Sequence, residues 1–461
     1  MSDLAIIFFP ALFILFFLLI VMLFVKISRD VVYGVYVFIF LASITEMPHL
    51  PVVGDRLSVS DFVMIFTLLV ATTKGVLFSK APKPLILIDQ FALVFILLAS
   101  FSSVISLIFS ENPNPERSFL FMMIYIYGYL CFRLIIRVVN DKEKLFRVFL
   151  YWAAGAALLT IVGFLAATGI YKPAWTYDPI IMRINSTMKS SGQVSSYLAP
   201  AMFIFIFMSV NKWLSFSKRS MMIFLSAAAV VVMMGTGSRI SFVILIFTLF
   251  YGVFTVLTTR GASVRRSLLI ISLFVSVWGF TGYVVSVWTD TSEAYGLTTT
   301  SPFERAIKIF SDNSRENADA SEVGGTRYDE ISTAFENFHK APLFGVGSGM
   351  FSSAYSLNEI HNTYVSILAE NGLFSLISFS IWWLLMFSFV YRSGYASKGD
   401  NKLMLKLALG GLLALAVYQL TTNGMRQRPF WFIPALAVAS AVVLRQPPQT
   451  EGTLISGKQY R

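Results

Sequence analysis

The chain has 461 residues, of which 56% are hydrophobic and 13% charged, with 44 phenylalanines and a formal net charge of +11. Soluble proteins carry roughly 25% charged residues, so the polar side chains here are too few to cover a water-facing surface around this much apolar material. Composition excludes a soluble enzyme, a disordered chain and a secreted disulfide scaffold, and leaves an all-α polytopic membrane protein.

A bilayer core takes about 20 mainly apolar residues per helix, and the chain offers 12 to 13 such stretches. The first, 4–25, follows Met-Ser-Asp, is too long for a signal-peptide core and lacks a basic leader, so it reads as a retained span. Further spans are expected at 31–45, 62–79, 90–109, 119–138, 148–167, 194–210, 221–235, 240–257 and 267–287. After a long polar connection come 363–390, 405–421 and 430–444. The single cysteine, Cys131, lies within an apolar run and reads as a small core residue. One cysteine forms no intrachain disulfide and no cysteine metal site, and no metal or cofactor is expected. The basic residues are scattered between apolar runs rather than gathered on one soluble domain, which argues against a nucleic-acid partner.

Connections after alternate spans hold 23 of the 36 Lys and Arg. The positive-inside rule assigns these connections to the cytoplasm, which puts the N-terminus outside and the C-terminus inside. The opposite side receives Thr45–Asp61, Gly169–Gln193 and a loop of about 70 residues between Thr289 and Ile360. Between Asp290 and Glu359 that loop holds eleven acids against five Lys and Arg. A connection of this length is usually functional, so the chemistry is expected to face outward.

All three histidines fall on that outer side, and imidazole is the side chain best suited to act as a base near neutral pH. His49 sits in Met-Pro-His-Leu-Pro and reads as part of a turn, and His339 reads as an exposed residue. His361 stands where the long loop meets a span, at headgroup depth, and is the preferred candidate. Arg239 lies between two apolar runs with almost no loop around it. An arginine there needs a partner, and its planar fork suits a phosphate or diphosphate. Arg327 begins an amphipathic helical pattern through Ile331, Ala334, Phe335 and Phe338. Arg183, Lys189, Arg426 and Arg428 are further outer cations, read as solvated or lipid-pairing. Glu370 lies in an apolar run nine residues past His361, half a helical turn out of phase, and is expected to pair with a neighbouring helix. Neither Gly235-Thr-Gly-Ser-Arg239 nor Gly345-Val-Gly-Ser-Gly349 has the lysine or strand context of a nucleotide loop; the second reads as a turn.

Three stretches together resemble the O-antigen ligase and polymerase superfamily. Thr236-Gly-Ser-Arg239 opening an apolar span is similar to the family's Ser-Arg-Gly element. Arg327, a short helix and then Ala341-Pro-Leu-Phe-Gly-Val-Gly-Ser-Gly-Met-Phe351 are similar to its Pro-Leu-x-Gly-x-Gly stretch. His361-Asn-Thr-Tyr-Val-Ser-Ile-Leu-Ala-Glu-Asn-Gly-Leu-Phe374 resembles its His-Asn motif and the following Glu-x-Gly-Leu. The resemblance divides the chain into N-terminal helices (1–220), a core (221–390) whose extracytoplasmic loop (289–360) contains short helices, C-terminal helices (391–444) and a cytoplasmic tail (445–461).

The resemblance implies a multi-pass enzyme of the bacterial cytoplasmic membrane, acting at its outer face on undecaprenyl-diphosphate-linked glycans for O-antigen, capsule or exopolysaccharide. It implies that His361 activates the acceptor hydroxyl and that Arg239 and Arg327 hold the donor diphosphate, with Asn362, Glu370 and Arg183 as supporting residues. The donor arrives activated, so no nucleotide sugar and no metal is implied. The implied partners are the lipid-linked donor, a glycan or lipid-linked acceptor, membrane lipids, and flippase and chain-length regulator proteins. Many ligases of the family continue after the histidine motif with Gly-x-x-Thr-Thr. Here the stretch is Gly372-Leu-Phe-Ser-Leu376, which favours a repeat polymerase over a ligase acting on a lipid A-core acceptor. A flippase for the same glycans is the rival from another class, but its charged residues belong in an alternating-access cavity rather than at one face.

Overall fold

The computed structural model describes residues 18–45, 58–79, 83–109, 114–171, 173–178, 183–211, 214–260, 327–351 and 360–445. The helices are α1 (18–29), α2 (Val32–Leu41), α3 (Val59–Thr73), α4 (Ile86–Phe109), α5 (Pro115–Val138) and α6 (Lys142–Ala167). They continue with α7 (Ser191–Val210), α8 (Phe216–Gly235), α9 (Arg239–Arg260), α10 (Arg327–Lys340), α11 (Thr363–Ala396), α12 (Gly399–Tyr418) and α13 (Arg428–Arg445). A two-stranded pairing of Tyr177–Asp178 with Arg183–Ile184 is the only sheet among the described residues.

Nine of the described helices are long and apolar enough to cross a bilayer, and α2 and α3 are shorter apolar helices. Each of the nine falls on an expected span. The expected span 267–287, His49 and the tail 446–461 lie outside the described residues, as does most of the long polar loop.

The helix starts follow local chemistry. Asn114 caps α5 ahead of Pro115, whose missing N–H costs nothing at a first helical position. Asp141 caps α6, Ser190 caps α7 and Asn362 caps α11 through side-chain oxygens that accept otherwise orphaned amides. Ser58 and Asp61 form a reciprocal capping box at α3.

The bundle is built around α13 and α7, with 83% and 72% of their apolar windows buried. Helix α13 packs on α5, α11, α12 and α6, while α7 packs on α8, α9 and α12. Their internal prolines, Pro434 and Pro200, are tolerated because neighbouring protein rather than lipid surrounds them. Aromatic rings fill the seam between α11 and α13: Phe379 stacks on Phe430 at 6.1 Å, and Trp382 on Trp431 at 5.9 Å. Gly128 of α5 makes room for the same cluster, since a Cβ there would lie 2.1 Å from the Trp431 indole.

Buried charges near the ends of the described helices find partners that offset their desolvation. Toward the end of the bundle where α4 begins, Asp89 of α4 meets Arg137 at 3.1 Å and Arg133 at 3.6 Å, both from α5. A crevice between α6, α7, α12 and α13 is walled by apolar side chains such as Trp152, Phe203, Phe207 and Met404 and includes none of the polar residues of the site described next.

Candidate active site

The candidate site lies at the end of the bundle where α11 begins. The expected span 363–390 is not one straight helix there. Gly372 has φ 79° and ψ 179°, a backbone conformation open essentially to glycine alone. The break strips the preceding carbonyls of their normal donors, and the 341–350 connection replaces them. The Val346 amide donates to Ala369 O at 3.1 Å, the Gly347 amide to Glu370 O at 2.7 Å, and the Leu373 amide to Pro342 O at 3.0 Å.

Two glycines permit that approach. A Cβ on Gly345, itself at φ 69°, would meet the Glu370 carbonyl group at 2.4 Å, and one on Gly372 would meet Leu343 O at 2.2 Å. Helix α4 closes the arrangement from the other side. The Ser102 hydroxyl reaches the carbonyls of Phe344 and Glu370, Ser106 donates to Val346 O, and Ser103 accepts from the Ser348 amide at 3.3 Å. The Gly345–Gly349 stretch is thus a turn, as expected. Its function in the fold is to supply backbone partners to a broken helix, which irregular backbone at membrane depth requires.

The break holds the first turns of α11 in place, and these carry the histidine. His361 is 48% exposed at its side chain, whereas Glu330 of α10 is only 4% exposed. One carboxylate oxygen of Glu330 lies 3.1 Å from His361 Nδ1 and 3.3 Å from its backbone amide. Next in sequence, Asn362 accepts the Tyr364 and Val365 amides, each at 3.0 Å, and donates to Leu420 O at 2.8 Å. Thr363 donates to Thr422 O and accepts the Gly424 amide, both at 2.8 Å. Asn362 and Thr363 therefore tie the start of α11 to the α12–α13 connection and leave the imidazole free to face outward.

Helix α10 covers the predicted helical pattern through Ile331, Ala334, Phe335 and Phe338, and its faces are divided. Glu330 and Ala334 turn inward, and Ala334 packs with Phe351, Ile360 and Ala369 in a small separate core. Ile331 and Phe335 are exposed on the other side. Arg239 is the first residue of α9, after a turn in which Thr236 is buried and accepts the Ser238 amide at 3.4 Å. The backbone thus places Arg239 at a helix start, where N–H dipoles favour a bound anion, and Arg327 lies on α10.

Glu370 is buried beneath the histidine end of α11, where Ser366 donates to its carboxylate at 3.3 Å and Asn423 donates to Ser366 at 2.9 Å. His361 precedes the N-cap and lies outside the helix, so no helical phase relates it to Glu370. Arg183 is half-buried in the short strand pair, and Lys189 is exposed, with its amide donating to Thr45 Oγ1 at 2.9 Å. His339 is exposed and contacts Phe335 O one turn back in its own helix.

Two of the cations expected on the outer side depart from the sequence expectation. Arg428 is not solvated: it forms a two-point pair with the buried carboxylate of Asp61, which also accepts the Tyr127 hydroxyl at 3.0 Å. The partners are 367 residues apart in sequence, so no local pattern linked them. Arg426 lies 3.8 Å over the face of Phe121, a favourable setting for a guanidinium. Glu330 was also missed, as one of eleven acids in the long loop. The available signal was its helical spacing, one turn after Arg327 and four residues before the apolar Ala334.

The protein is thus a multi-pass helical membrane protein with a histidine-bearing polar site at one end of its bundle. The family model described as O-antigen ligase matches residues 224–380, a stretch that contains Arg239, Arg327, Glu330, the glycine connection and His361. Over that stretch, about a third of the chain, the protein is similar to the O-antigen ligase family, a likeness that suggests O-antigen ligase or related polymerase activity. No curated protein matches the chain.

Proposed function

We propose that the protein polymerises undecaprenyl-diphosphate-linked oligosaccharide repeats at the outer face of the bacterial cytoplasmic membrane. The observation that carries this reading is the half-exposed imidazole of His361, fixed at a broken membrane helix inside the region matched by the family. In the reaction, the acceptor hydroxyl oxygen attacks the anomeric carbon of the donor sugar. The bond from that carbon to the diphosphate oxygen breaks, its electron pair leaves with the diphosphate, and the hydroxyl proton passes to His361. General-base help of this kind contributes typically 10²–10⁴-fold. Arg239 and Arg327 are assigned to the departing diphosphate, whose growing charge calls for fixed cations. Asn362 and Glu370 support the histidine segment; Arg183 is assigned to the outer rim. The proposed orientation puts the N-terminus outside and the C-terminus in the cytoplasm. Flippase and chain-length regulator proteins are the proposed partners.

The second reading is transfer of finished glycan to a lipid A-core acceptor, favoured by the ligase description of the matching family. Surface glycans from a deletion strain separate the two. Single repeats without long chains support a polymerase, and lipid-linked polymer that accumulates unattached supports a ligase. Complementation with His361→Ala is expected to restore neither product at normal membrane levels of the protein. Full complementation removes His361 from the mechanism.

A further inference from the structure

We propose that Glu330 is the positioning residue of His361: its carboxylate keeps the ring proton on Nδ1, so that Nε2 faces outward as the proton acceptor. The inference rests on the glycosyl-transfer reading for its catalytic consequence, but the tautomer it assigns stands on the structure alone.

A carboxylate that is 4% exposed has given up most of its water, and such a group is kept only where hydrogen bonds replace that water. Among the described residues, both hydrogen bonds of the Glu330 carboxylate go to His361, through one oxygen. An ionised carboxylate only accepts, so both contacting nitrogens donate. The backbone nitrogen does so necessarily; Nδ1 does so only when it bears the ring proton. A neutral imidazole has one N–H, and with Nδ1 occupied the lone pair is on Nε2. That is the ring nitrogen on the side away from the buried carboxylate, on a side chain 48% exposed.

The two contacts also fix the ring in space. Glu330 grips the His361 main chain and ring together, so rotation about the side-chain bonds breaks the Nδ1 contact while the amide contact persists. Glu330 is itself immobilised. Ala334, one turn on, is packed against Phe351, Ile360 and Ala369, and Ala369 belongs to the helix end held by the glycine connection. The arrangement thus connects the loop helix to the base through a single carboxylate. When Nε2 takes the hydroxyl proton, the ring becomes a cation beside the carboxylate, which then stabilises the charge it has helped to create. A purely structural anchor for α10 needs neither an ionised group nor a contact with the imidazole.

The chain has three histidines, so ¹⁵N-histidine labelling of the full protein in lipid gives a spectrum simple enough to read. His361→Gln assigns the signal. At a pH where the ring is neutral, wild-type His361 is expected to show the Nδ1–H tautomer. Glu330→Ala is expected to shift it toward Nε2–H, and Glu330→Gln, whose amide oxygen still accepts, to retain Nδ1–H without the charge. In a transfer assay kcat falls by about tenfold or more in Glu330→Ala and by less in Glu330→Gln, with KM for the lipid-linked donor unchanged. A wild-type Nε2–H tautomer overturns the proposal, as does a Glu330→Ala protein with the native tautomer or the native kcat. A change in KM alone, with kcat intact, assigns Glu330 to the fold and also overturns it. Should His361→Ala transfer glycan normally, the base assignment fails instead, and the spectrum still decides the tautomer.

Discussion

Replacing Gly372 by alanine tests how the site is held. Its φ of 79° and ψ of 179° lie in a region that costs a side-chain-bearing residue about 1–3 kcal/mol. The new Cβ would also sit 2.2 Å from Leu343 O, and backbone has no rotamer with which to yield. Relief requires the connection to lift from the break, which releases the amide bonds of Val346, Gly347 and Leu373, each worth roughly 1 kcal/mol net. Those bonds are lost on opening of the wild-type connection as well, so the substitution weakens the closed form by the strain, about 1–3 kcal/mol. At the lower limit this is about 5-fold in its opening equilibrium. Hydrogen-exchange mass spectrometry on the peptide covering 341–351 reads that change directly. Gly399→Ala is the control, because φ there is 56° with nothing within 4 Å. It carries the left-handed cost of about 1–2 kcal/mol without touching the connection. Unchanged exchange at Val346 and Gly347 in Gly372→Ala would refute the view that this glycine locks the loop to the helix.

Removing one partner of the buried Asp61–Arg428 pair, as in Arg428→Met, strands a charge and is expected to cost about 3–5 kcal/mol. The double variant Asp61→Leu/Arg428→Met should recover much of the lost thermal stability in detergent; equal melting of single and double variants contradicts the pairing. Arg239→Lys is expected to impair glycan transfer, because a point charge does not reproduce a bidentate fork; wild-type rates exclude diphosphate recognition by that side chain. Ser102→Ala removes a hydroxyl shared by the Phe344 and Glu370 carbonyls and should speed exchange of the 341–351 peptide, with the same exchange experiment as readout. Orientation is tested with single cysteines at Ser321 and Ser397 and an impermeant thiol reagent on intact spheroplasts. Only the cysteine at 321 is expected to react, and the native Cys131 is fully enclosed; labelling at 397 alone inverts the topology.

What the sequence determined by itself was the membrane architecture. The hydrocarbon core sets both the length and the apolarity of a spanning helix, so each described span could be located from local composition, and the apolar spacing through Ile331, Ala334, Phe335 and Phe338 announced α10 by periodicity. His361 stood out for a related reason, as an ionisable group at the margin of an apolar run. Tertiary structure alone decided how these pieces meet. Glu330 and His361 are 31 residues apart, and Asp61 and Arg428 are 367 apart; nothing in either neighbourhood specifies the partner, because a carboxylate's desolvation is settled only by what the fold brings beside it. The break at Gly372 was likewise hidden within an apolar run that satisfies a hydropathy window. A glycine leaves a helix there only because a second segment, 341–350, arrives to satisfy the carbonyls that the helix gives up.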